Sequence, residues 1–190
     1  MGIIVDIDTK IIIKEAEAFC AEEKIEIKLV YDLPDSLLEV ISKRTDEVPA
    51  LYYASVDMLK KRIKNGCFLL MKDEHIYGHI FVHKHQFKRH FVYERSTLWI
   101  DSMYRKYNLG LLLMERLTDL YNDTFLISIA STPKVHYYNE LLGMRHITLS
   151  EMSPLLIEEL EKLGKLRDET NYRYYINAYF DSNKEVMTSV

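Results

Sequence analysis

A single mixed α/β domain is the fold class this sequence predicts, with a mostly antiparallel sheet and helices on both faces. Three observations carry that expectation. Strand-like runs with period two and helix-like runs with period 3.6 follow one another along 190 residues, without repeats or a Gly/Ser linker. Three strand-like runs, CFLLMKD, HIYGHIFVHKHQF and FVYERSTLWID, are joined by short connections, the pattern of an antiparallel meander. FLISIAS, later in the chain, is an apolar run bounded by turn residues, as expected of a strand covered on both faces.

In order, a short apolar segment from Ile3 to Ile7 precedes a helical pattern from about Thr9 to Glu23. IEIKLVYDLP then alternates like a strand and stops at Pro34. Two helical patterns follow, Asp35 to Thr45 and Ala50 to Lys64, and Asn65-Gly66 turns the chain into the meander. Beyond Asp101, Leu109, Leu113, Leu117 and Leu120 recur at helical spacing. After FLISIAS, Thr132-Pro133 supplies an N-cap and first-turn proline for a helix ended by Gly143. MRHITLS reads as a strand, Ser153-Pro154 opens a helix that Gly164 stops, and YRYYINAYF is a last aromatic strand before a polar tail.

Composition narrows the function. With 25 Lys+Arg against 29 Asp+Glu, a net charge of −4 argues against a dedicated nucleic-acid binder, whose affinity comes from clustered cations. Two cysteines, Cys20 and Cys67, are too few for a disulfide framework or a zinc finger and fit a reducing compartment. The apolar runs fall well short of the roughly 20 residues of a membrane span. MGIIVDIDTK has acids where a signal peptide has its charged start, and Asp6 where a myristoylation signal has Ser or Thr. The expectation is a cytoplasmic protein without a membrane or nucleic-acid partner.

The most informative stretch is LWIDSMYRKYNLGLLLMERL, a strand that runs through a basic loop directly into an amphipathic helix. The first N–H groups of a helix lack intrahelical partners and sit at the positive end of its dipole, so a pyrophosphate there gains several hydrogen bonds at once. Arg105 and Lys106 add full charges, Gly110 permits close approach to the backbone, and Asn108 tolerates positive φ. The same residues also suit a plain strand-to-helix connection with a solvated basic loop.

This stretch resembles the GNAT superfamily of acyl-CoA-dependent N-acetyltransferases. Leu98-Trp99-Ile100-Asp101 matches the end of that family's strand, and Arg105, Lys106, Tyr107, Asn108, Leu109 and Gly110 match its Q/R-x-x-G-x-G/A loop. Asn108 replaces the first glycine, and Ser102 stands where proline is common. Element order is similar over roughly Ile25 to Phe180. The resemblance implies a GNAT-like sheet of six to seven strands with a V-shaped split between its central strands. Residues 1–24 then form an N-terminal strand and helix of the same unit, 25–180 the acetyltransferase-like domain, and 181–190 a loose tail. It further implies acetyl-CoA as cosubstrate, with no metal, held by Leu98, Trp99 and Ile100 and by the loop from Arg105 to Gly110 with Leu111. Pantetheine would take the place of a strand, with the acyl carbonyl near backbone donors. A homodimer is compatible with it.

Acetyl transfer to an amine needs a neutral nucleophile and a donor for the departing thiolate. Glu94 lies six residues before Ile100, a spacing some family members use for a base, and alternation places it on one face with Ser96, Leu98 and Ile100. Its other reading is a cross-strand partner for a neighbouring cation. The family's acid, a Tyr four residues before the motif glycine, corresponds to Asn139; Tyr138 is one residue, about 100° of helix, away. Tyr138 takes the role if the extra leucine before Gly143 is absorbed by a distortion of the helix; otherwise it packs with Val135 and Leu142. His79, His83 and His85 share one strand face, but no carboxylate or fourth His is placed by sequence to complete a metal site. The expected function is transfer of an acetyl group from acetyl-CoA to a primary amine, of a small molecule or a protein, by direct attack in a ternary complex. The alternative is a non-catalytic acyl-CoA sensor or interaction domain on the same fold.

Overall fold

The computed structural model describes residues 7–87 and 89–184. In chain order these form α1 (Ile7–Glu22), β1 (Glu26–Val30), α2 (Asp35–Glu47), α3 (Val56–Ile63), β2 (Cys67–Lys72), β3 (His75–Phe87), β4 (His90–Ile100), a 3₁₀ segment (Ser102–Tyr107) and α4 (Leu109–Leu120). Then come β5 (Phe125–Ala130), α5 (Pro133–Leu141), β6 (Arg145–Ile147), a 3₁₀ turn (Leu149–Glu151), α6 (Pro154–Lys162), β7 (Arg173–Ile176) and α7 (Ala178–Ser182). The strands make one mixed, mostly antiparallel sheet of order β1-β2-β3-β4-β5-β7-β6, with β4 and β5 parallel. Among the described residues, no helix is long and apolar enough to cross a membrane. The chain divides into two compact units: residues 7–83 with 95–117, and residues 84–94 with 118–184.

In the first unit, β1 pairs antiparallel with β2, and β2 with β3. Asp73 and Glu74 connect the latter pair with both φ positive, 50° and 65°, the twist a two-residue hairpin prefers. The core gathers Leu38 and Ile41 of α2 and Leu59 and Ile63 of α3 over Cys67, Leu69, Ile76 and Phe81 of the strands. The helix expected from Ala50 starts only at Val56. Ser55 caps it by accepting from Met58 N (3.3 Å), while Thr45 Oγ1 accepts from Ala54 N (3.0 Å) and holds the preceding loop extended.

The second unit is built on β5, buried at five of its six residues, and on β7, which pairs antiparallel with both β5 and β6. Its core joins Phe125, Ile127, Tyr174 and Ile176 to Leu156 and Leu160 of α6 and Phe180 of α7. Two expected strands are shorter than their patterns suggest. After Ile147, Thr148 and Glu151 close a capping box, and after Ile176 buried Asn177 caps α7, accepting from Phe180 N (3.0 Å) and from Leu126 N of β5 (3.3 Å). Thr132 is the N-cap of α5 by position, yet its carbonyl rather than its side chain accepts, from Val135 N and His136 N. The apolar segment from Ile3 falls, except for Ile7, outside the described residues, as does the tail after Lys184; Ile7 opens α1.

Candidate functional site

The strand–loop–helix passage folds as a chain of short-range caps. Asp101 accepts from Met103 N (3.1 Å) and starts the 3₁₀ segment, and Arg105 Nε reaches back to Ile100 O (2.9 Å). Asn108 stands in the left-handed region, φ 57° and ψ 23°, the conformation expected of the residue that replaces a glycine. The first i→i−4 bond into α4 is Leu112 N to Asn108 O, 3.2 Å. The N–H groups of Leu109, Gly110 and Leu111 therefore lie ahead of the helical ladder. Leu109 and Leu111 bury their side chains, so only their backbone is available to a ligand, whereas Arg105 and Lys106 are exposed. Behind the loop, Phe19 of α1 stacks on Tyr107 (3.6 Å between centroids) and lies 5.9 Å from Tyr104. An ion pair between Glu17 and Arg116 ties α1 to α4. The N-terminal helix, seen in the sequence only as an addition, is the support of this loop.

Upstream in β4, Thr97 has φ 57°. A β-branched residue there is an outlier that costs roughly 1–3 kcal/mol. Between Ser96, whose hydroxyl reaches Phe81 O, and Asp101, whose N–H reaches Tyr77 O, β4 advances five residues while β3 advances four. Thr97 is the extra residue of a bulge. This corrects the expected alternation: Ser96 stays in phase with Glu94, but Leu98 and Ile100 fall out of it. Trp99 packs against both the Arg44 guanidinium (3.9 Å) and the His79 ring (5.7 Å, 15° between planes), so its indole is already engaged.

Glu94 is buried, 4% exposed, and its oxygens are divided between His85 Nε2 (2.7 Å) and Lys165 Nζ (3.0 Å). Burial pushes this carboxyl up, but the His85 hydrogen bond and the Lys165 charge outweigh it and hold the pKa at about 2. The cross-strand partner considered from the sequence is thus His85. Lys165 was missed: Gly164, at φ 63°, ends α6 and turns the next residue inward, and nothing local marks that lysine as buried. His83, His85 and Glu94 bring their ligand atoms within 4.8 Å of one another, so Glu94 is the carboxylate that spacing alone did not place. The Lys165 ammonium already neutralises it. His79 lies apart, stacked on Trp99.

α5 is regular to Leu141. Leu142 N bonds to Tyr138 O (3.1 Å), and Gly143 at φ 69° closes a Schellman turn with Met144 N to Asn139 O (3.0 Å). The extra leucine takes the C-cap, and the supposed distortion of the helix is absent. Tyr138 and Asn139 are both buried nonetheless. Burial, then the neighbouring Tyr137, pushes the Tyr138 hydroxyl up to about 12, so it stays protonated at neutral pH. Cys67 is fully buried and its thiol is raised well above its usual range by burial, which does not suit a nucleophile.

No protein-family profile matches the chain, and no curated protein does. Solved structures do. N-acetylglutamate synthase from Neisseria gonorrhoeae, complexed with coenzyme A and N-acetyl-glutamate, is 13% identical with a TM-score of 0.60; the match covers 80% of this chain and 35% of the synthase. Arabidopsis thaliana Naa50 with a bisubstrate analogue is 14% identical, TM-score 0.53, over 79% of this chain and 96% of that one. A GNAT-family acetyltransferase from Staphylococcus aureus is 13% identical, TM-score 0.54, over 81% and 99%. At 13–14% identity these likenesses carry no substrate across, and what they establish is that this chain has the fold of the GNAT acetyltransferases.

Proposed function

We propose that the chain is an acyl-CoA-dependent N-acetyltransferase that moves an acetyl group from acetyl-CoA to a primary amine in a ternary complex. The observation that carries this is the start of α4, where three N–H groups open after the left-handed Asn108 beside the exposed cations Arg105 and Lys106. That is a pyrophosphate-binding arrangement. Coenzyme A in the Neisseria synthase and the CoA-peptide analogue in Naa50 support the same ligand here. The acyl carbonyl is assigned to backbone N–H donors of β4 near Leu98, where a developing oxyanion gains most.

Glu94 is the proposed proton acceptor. At a pKa of about 2 it does not keep the proton, and because His85 Nε2 already donates to it, the proton passes on to water. Tyr138 is the proposed donor to the departing thiolate. The acceptor is an amine of a small molecule or a protein. Calorimetry with acetyl-CoA, followed by a panel of amines with detection of released thiol, tests the reading. Absence of acetyl-CoA binding overturns it. Binding without turnover favours the second reading, a CoA-binding sensor, which the Glu94–Lys165 ion pair and Asn139 at the family's acid position speak for.

A further inference from the structure

Thr97 is held in its left-handed conformation by two side chains. His79 Nδ1 lies 2.8 Å from Thr97 O, and Arg62, from the end of α3, donates through Nη1 to Thr97 Oγ1 at 3.3 Å. His79 is fully buried, and its ring stacks on the Trp99 indole, which also carries the Arg44 guanidinium. Burial and the Arg44 charge push His79 down to about 3, so the imidazole is neutral. A carbonyl can only accept, and therefore Nδ1 carries the proton and Nε2 the lone pair. Nε2 has no hydrogen-bond partner and no access to water, so this imidazole offers its surroundings a single bond, the one to Thr97. A strained, β-branched bulge persists only where its neighbours over-determine it.

We propose that His79 is a positioning residue for acetyl transfer: its bond to Thr97 O holds the β4 bulge that aims the backbone N–H groups at and after Leu98 toward the acyl oxygen. This rests on the reading above that the thioester lies along β4. An asparagine could supply a donor at the position of Nδ1, but only a ring also fills the slot against Trp99. The kink, and not the imidazole's acid–base chemistry, is what His79 contributes.

His79→Phe keeps a ring against Trp99 and removes the donor. Amide hydrogen exchange by NMR is the direct readout: exchange of the Thr97, Leu98 and Trp99 amides is expected to accelerate at least 10-fold relative to the wild type, with α4 and β2 unchanged. kcat should fall at least 10-fold while the Kd for CoA stays within about twofold. His79→Asn, whose amide nitrogen can take the position of Nδ1, should recover part of both effects, and His79→Gln should not. In a Thr97→Gly background, where positive φ carries no penalty, His79→Phe should add little to either. Unchanged exchange in His79→Phe overturns the proposal. So does accelerated exchange with normal turnover, or an equal loss in the Thr97→Gly background. Should His79→Phe not fold, the comparison of Asn with Gln decides. A wild-type protein that fails to bind CoA refutes the functional reading instead; exchange at Leu98 then still shows whether His79 holds the kink.

Discussion

Glu94→Gln separates the two roles that the buried cluster could play. The substitution keeps the size of the side chain and removes the charge that faces the buried Lys165 ammonium, itself 6% exposed. Breaking a buried pair by removing one partner costs roughly 3–5 kcal/mol. Linkage gives a second estimate. The folded pKa of about 2 lies below the ordinary glutamate value of 4.5, so the carboxylate's contribution is fully present above about pH 4.5 and is lost as pH falls toward 2. At about 1.4 kcal/mol per unit that contribution is on the order of 3 kcal/mol. For a chain of this size it corresponds to a fall in Tm of roughly 6–12 °C at neutral pH. Thermal denaturation between pH 2 and 7 is the assay. The wild type should lose stability below pH 4.5, Glu94→Gln should be less stable at pH 7 with a shallower acid limb, and Lys165→Met added to it should recover much of the loss. A Glu94→Gln protein within about 1 kcal/mol of the wild type at pH 7 would show that the ion pair is not what holds this region. Turnover per folded molecule then addresses catalysis: a drop of roughly 100-fold supports the proton-acceptor role.

Gly110→Val should abolish acetyl-CoA binding by filling the space at the start of α4, and Arg105→Ala should weaken it by about 1–3 kcal/mol, both read by calorimetry; unchanged affinity in folded Gly110→Val refutes the site. Tyr138→Phe should lower kcat at least 10-fold with unchanged Tm if its hydroxyl serves the thiolate. Normal turnover there with slow Asn139→Ala assigns the position by family spacing instead. Gly78→Ala should cost less than the roughly 1–3 kcal/mol of a rigid overpacking, seen in urea denaturation, because the atoms a Cβ there meets, Ile100 Cδ1 at 2.7 Å and Leu70 Cδ1 at 2.8 Å, are side-chain ends that can turn aside.

Local rules were enough for the parts of this protein whose conformation is decided within a few residues. The meander, the burial of β5, the proline and glycine stops, and even the left-handed Asn108 follow from periodicity, turn chemistry and the sterics of single residues. The order of the elements was legible for the same reason. What local rules could not reach was decided by contacts distant in sequence. Thr97 has no local signal for positive φ, and it takes that conformation because His79 and Arg62, 18 and 35 residues away, bind it. That one extra residue also breaks the alternation that would set Glu94 and Ile100 on one face of β4. Lys165 pairs with Glu94 across 71 residues, and α1 came to support the loop through Phe19. Strand and helix periods report which side of its own element a residue faces. They carry no information about which partner arrives there, because buried charges and strained backbone are stabilised only by groups that tertiary packing brings together.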